Sequence, residues 1–99
     1  MEQYIKSKGI HPAGLGGTQT IYKFPNGYGA SVISGEYFYT DIEHPYELGV
    51  LKFDDEGNGH ITYETPITDD VIGHLTEEDV QDTLLQIKAL PMKQENTND

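Results

Sequence analysis

The 99-residue chain carries seventeen acidic and six basic side chains, a formal charge of −11, and every base is a lysine. That balance leaves no cationic patch for phosphates, which excludes a surface for free nucleic acid or for an anionic membrane. With no cysteine, disulfides and thiolate metal sites are excluded as well. The length suits one domain with a modest core, and seven Tyr and three Phe offset a low apolar content of 35%. No apolar run is long enough for a membrane span, and the start lacks the apolar stretch of a signal peptide, so a soluble cytoplasmic protein is expected.

Residues 1–17 read as a flexible arm, because Gly9, Pro12, Gly14, Gly16 and Gly17 work against regular structure. Thr18–Phe24 is a strand rich in β-branched and aromatic residues, and Pro25-Asn26-Gly27 is a hairpin turn. The return strand is Tyr28–Ser34, with Ala30 and Val32 on one side and Ser31 and Ile33 on the other. Glu36–Thr40 reads as a third strand and Tyr46–Phe53 as a fourth. In the fourth, Leu48 and Val50 oppose Leu51 and Phe53, a pattern for a central strand covered on both sides. His60–Thr65 forms the fifth, and Asp69–Leu75 a short helical turn capped by Thr68.

The main helix starts at Thr76, where Thr76-Glu77-Glu78-Asp79 resembles a capping box with Asp in place of Glu. Val80, Leu84 and Ile87 form its apolar stripe, joined by Leu85 and Leu90, and Pro91 ends it. Residues 91–99 are a polar tail. The expected fold is therefore α+β, an antiparallel sheet of four to five strands with one C-terminal helix packed on one face, in a single domain over 18–90. The other face would carry part of the Tyr and Phe set and serve as a binding surface if bare.

Three groups of residues bear on chemistry. The loop from Asp54 matches an EF-hand at Asp54, Glu56, Asn58, Gly59 and Ile61, but position twelve is Thr65 and the flanks are strands. Asp54, Glu56 and Asn58 are thus candidate calcium ligands, while an acidic hairpin loop explains the same letters. Asp69, Asp70, Glu77, Glu78, Asp79 and Asp82 form a block without bases, with Glu78 and Asp82 one helical turn apart. Such a block can imitate the spaced phosphates of a duplex, or simply complement the positive end of the helix dipole. Tyr37 and Tyr39 share one strand face and would add packed contact to a protein partner. His11, His44, His60 and His74 have no zinc spacing, and Ser31 and Ser34 lack a nucleophile motif, so no enzyme activity is expected.

The segments PNGYGASVI, YELGVLKF and TPITDDVIGHLTEEDV, followed by LLQIKAL, resemble a pattern of small acidic phage and prophage proteins. The likeness covers Tyr22 to Leu90 and contains no catalytic motif. By analogy of class, the resemblance implies an inhibitor of host defence, as anti-CRISPR proteins and DNA mimics are, active in the host cytoplasm; it assigns no residue roles. The combined expectation is a protein without cofactor whose acidic surface binds the basic site of a host nucleic-acid-handling protein. The alternatives are a calcium-binding module and a structural or assembly module.

Overall fold

The computed structural model describes residues 1–10, 17–35, 45–67 and 71–92. After a 3-10 turn at Glu2–Tyr4 come strands β1 (Ile5–Ile10), β2 (Thr18–Lys23), β3 (Tyr28–Ser34), β4 (Tyr46–Phe53), β5 (Gly59–Ile61) and β6 (Ile72–Leu75), then helix α1 (Glu77–Lys88). All six strands form one antiparallel sheet in the order β1-β2-β3-β4-β5, and β6 also pairs with β4. The fold is the α+β arrangement the patterning indicates, with α1 across one face.

Strand β4 is the centre. From Tyr46 to Lys52 it pairs with β3 on one edge. Its other edge is shared end to end: Leu51–Phe53 pairs with β5, and Tyr46 and Leu48 pair with β6. This sharing explains two departures from the sequence reading. The fifth strand stops at Ile61 instead of Thr65, because β6 occupies the rest of the edge; Thr62 N still donates to Val50 O at 2.9 Å. Residues 72–75 are a strand and not a helical turn, since Ile72 and Leu75 gain partners on β4 and Leu75 becomes buried. The register slips there by one residue, and His74 takes the left-handed backbone, φ 56°.

The residues read as an arm also contain β1, which pairs along β2 with an irregularity between Ile5 and Ser7. Backbone pairing with β2 offsets the poor strand propensity of Gly9. The third strand expected at Glu36–Thr40, and the Thr68 cap, lie outside the described residues.

The core lies between α1 and the sheet. Val80, Leu84 and Ile87 meet Phe24, Ala30, Val32, Leu48, Val50 and Leu75, all buried. Burying each large aliphatic side chain there contributes about 1.5–3 kcal/mol. Leu85, expected in the stripe, is 56% exposed, because it sits about 140° around the helix from Val80. Tyr22, Tyr28 and Tyr46 are half-buried against this same core, and the Tyr4 ring meets Phe24 edge-on at 5.2 Å. Tyr4, Tyr22, Tyr28 and Tyr46 thus support the helix side, Tyr63 is exposed, and of the Tyr and Phe set expected on the opposite face it is Phe53 that lies there.

Both ends of α1 are fixed by side chains. At the start, Thr76 Oγ1 accepts from Asp79 N and Asp79 Oδ2 accepts from Thr76 N, each at 3.0 Å, so the capping box forms with Asp in the Glu position. At the far end, Asn26 of the β2–β3 turn reaches across. Its Nδ2 donates to Ile87 O at 2.8 Å, Leu90 O at 3.0 Å and Lys88 O at 3.2 Å, while Oδ1 accepts from Tyr28 N at 3.0 Å. Helix carbonyls that lack intrahelical partners are satisfied this way. Gly27, at φ 89°, supplies the turn's left-handed position.

Candidate functional site

The packed stripe of α1 fixes which side chains point outward. With Val80, Thr83, Leu84 and Ile87 inward, Glu77, Glu78, Gln81, Asp82, Leu85 and Gln86 are exposed. Glu78, Asp82 and Leu85 follow one another at helical spacing and make an acidic ridge with an apolar tip. Among the described residues no cation pairs with Glu77, Glu78 or Asp82. Like charges one turn apart cost a few tenths of a kcal/mol, so this ridge is not an optimum for helix stability. Asp79 differs from its neighbours, because its carboxylate is engaged in the cap.

Of the residues expected at a partner surface, the structure brings Glu78 and Asp82 to one exposed helix face, leaves Glu77 exposed at its flank and assigns Asp79 to capping. Asp69, Asp70, Tyr37 and Tyr39 lie outside the described residues. Leu85 was missed as a surface residue, though the 3.6-residue period already separates it from Val80 and Leu84.

The Asp54 loop is organised from within. Asp54 Oδ1 accepts from Glu56 N and Asn58 N, both at 2.9 Å, and Oδ2 meets His60 Nε2 at 3.0 Å. Asp54 N donates to Asn58 O at 2.9 Å, and Gly57 takes φ 87°. These bonds, His60 first and then the Asn58 amide, hold the Asp54 carboxyl down at about 2. Asp54 is therefore the turn-forming side chain of a β-hairpin, and its oxygens face loop amides and an imidazole. Glu56 and Asn58 are exposed, and among the described residues no three His, Asp or Glu side chains gather as a metal group.

The sheet face away from α1 is a shallow trough. Leu51 and Phe53 are buried there, whereas the strands' other buried apolar residues, Ala30, Val32, Leu48, Val50 and Leu75, pack beneath the helix. Gly29 and Gly59 let the Phe53 ring lie flat; a Cβ on Gly59 would meet that ring at 3.0 Å. Lys23 Nζ covers the ring at 5.3 Å from its centroid. Beside it a depression of about 370 Å³ is lined by Ile21, Ser31, Leu51 and Ile61, and Gln19 Nε2 donates to Ser31 Oγ at 2.9 Å. No carboxylate or imidazole lines it among the described residues.

Among the described residues no helix is long and apolar enough to cross a membrane. In comparisons with known proteins, no family model, no curated protein and no solved structure matches the chain.

Proposed function

We propose that this chain is a binding protein without catalytic activity, whose outer α1 face engages a basic surface on a nucleic-acid-handling protein and blocks it. The observation that carries the reading is the ridge Glu78-Asp82-Leu85. Two carboxylates one turn apart, without a cation partner among the described residues, lead to an exposed leucine on a helix anchored at both ends. A rigid anionic ridge with an apolar tip speeds association through long-range charge and adds desolvated contact on docking. The net charge of −11 supplies the same steering field. Occupying a phosphate-binding groove in this way makes the mechanism stoichiometric competition with nucleic acid.

The test is a paired pull-down with wild-type protein and a Glu78→Lys/Asp82→Lys variant, at low and high salt. The expected partner is lost in the variant, weakened by salt, and displaced by added duplex DNA. A partner captured equally by both proteins, and indifferent to DNA, would remove the α1 face from the mechanism.

A further inference from the structure

The chain contains two Asn-Gly pairs in the described residues, Asn26-Gly27 and Asn58-Gly59, and the fold treats them oppositely. An asparagine before glycine is open to intramolecular deamidation, since no side chain shields the following nitrogen. The glycine backbone nitrogen gives up its proton and attacks Cγ of the asparagine. The new C–N bond closes a succinimide ring, and the side-chain amide leaves as ammonia. Water then opens the ring at either carbonyl, giving aspartate or isoaspartate and one new negative charge. The reaction needs a reachable nitrogen and a side chain free to turn onto it.

At the first pair both requirements fail. Asn26 is only 7% exposed, and its amide is held by the carbonyls of Ile87, Lys88 and Leu90. Gly27 N is itself committed to Phe24 O at 3.1 Å. At the second pair both are met. Asn58 is exposed, and among the described residues nothing engages its side-chain amide. Phe53 N donates to Gly27 O, on the β3 side, so Phe53 and Gly59 face each other without exchanging hydrogen bonds. The Gly59 N–H consequently points off the open edge of β5 toward solvent.

We propose that Asn58 is a site of spontaneous deamidation in the folded protein, while the fold protects Asn26. The aspartate product adds a charge to the loop of Asp54, Asp55 and Glu56. The isoaspartate product lengthens the main chain by one methylene, which pulls Asn58 O away from Asp54 N and Asn58 N away from Asp54 Oδ1. Ageing thereby loosens the β4–β5 hairpin without touching the helix side.

Trypsin separates the two pairs, because cleavage after Lys23, Lys52 and Lys88 places Asn26 in residues 24–52 and Asn58 in residues 53–88, each as that peptide's sole asparagine. Folded protein is incubated at mildly alkaline pH, digested and measured by mass spectrometry. The peptide 53–88 should gain the mass of the amide-to-acid exchange more than about tenfold faster than 24–52, since Asn26 reacts only from opened molecules. In guanidinium chloride the two rates should converge, and Asn58→Gln should abolish the gain in folded protein. Equal rates in the folded protein overturn the proposal, as does a 53–88 peptide that converts in denaturant and stays unchanged when folded.

Discussion

Replacing Asn26 by alanine removes the side chain that ties the β2–β3 turn to the end of α1. The amide has two protons, so its three short contacts amount to two full bonds, to Ile87 O at 2.8 Å and Leu90 O at 3.0 Å. Oδ1 adds a third bond from Tyr28 N. At about 1 kcal/mol net for each, the loss comes to about 3 kcal/mol. Orphaned groups that water cannot reach raise it, and rehydration of the helix end lowers it. For a domain of this size the melting temperature should fall by about 12–24 °C. Urea unfolding followed by far-UV circular dichroism should show an earlier midpoint at unchanged slope. Asn26→Asp keeps the acceptor for Tyr28 N but sets a carboxylate against carbonyl oxygens at the negative end of the helix dipole. That variant should be at least as unstable at neutral pH. Its carboxyl pKa is raised in the folded state, so its deficit should shrink as pH falls through that value. A loss below about 1 kcal/mol for Asn26→Ala would refute this account of the helix end.

Thr76→Ala breaks the capping box and should cost about 1 kcal/mol, read from the same urea curves. Gly29→Ala places a Cβ onto the Tyr22 carbonyl oxygen and 2.8 Å from Phe53 Cε2, so β2 and β3 must spread. A loss of at least about 2 kcal/mol is expected in thermal melts. The Asp54 carboxyl is depressed from 3.8 to about 2, so its ordering of the loop is complete above the higher value and lost as pH falls toward the lower one. Hydrogen exchange at Glu56 N and Asn58 N should report that loss locally, and Asp54→Ala should erase the transition.

Periodicity made the layout legible where one face is buried. Ala30, Val32, Leu48 and Val50 announce the helix side of β3 and β4, and Val80, Leu84 and Ile87 announce the stripe that covers it. The capping box was legible because its residues are local. Long-range pairing was not. Residues 72–75 carry a glycine and a histidine, and only the vacant edge of β4 makes them a strand. Asn26 reads as a turn residue, and the carbonyls its amide reaches lie sixty-one or more positions away, beyond any local pattern. The metal-like spacing from Asp54 is ambiguous for the opposite reason. Oxygen-rich residues with a glycine describe a tight hairpin as well as a cation loop, and the amides of Glu56 and Asn58 show which way the Asp54 carboxylate turns. At the acidic face, residue type and spacing were legible for Glu78 and Asp82, whereas the exposure of Leu85 follows from which side of α1 meets the sheet.

The ridge on α1 separates what the fold requires from what it does not. Packing determines Val80, Thr83, Leu84 and Ile87, while Thr76, Asp79 and Asn26 hold the ends. Nothing in that set needs Glu78 beside Asp82, and their repulsion opposes the helix slightly. Nor does it need a leucine at position 85, which gains little burial where it stands. Asp82→Lys should therefore leave the melting temperature nearly unchanged, and Glu78→Lys should lower it only by the small dipole contribution of the first turn. If the double variant loses its partner while keeping its unfolding curve, the ridge belongs to binding. If it loses stability by more than about 1 kcal/mol, the carboxylates belong to the fold, and charge at this face is a structural device.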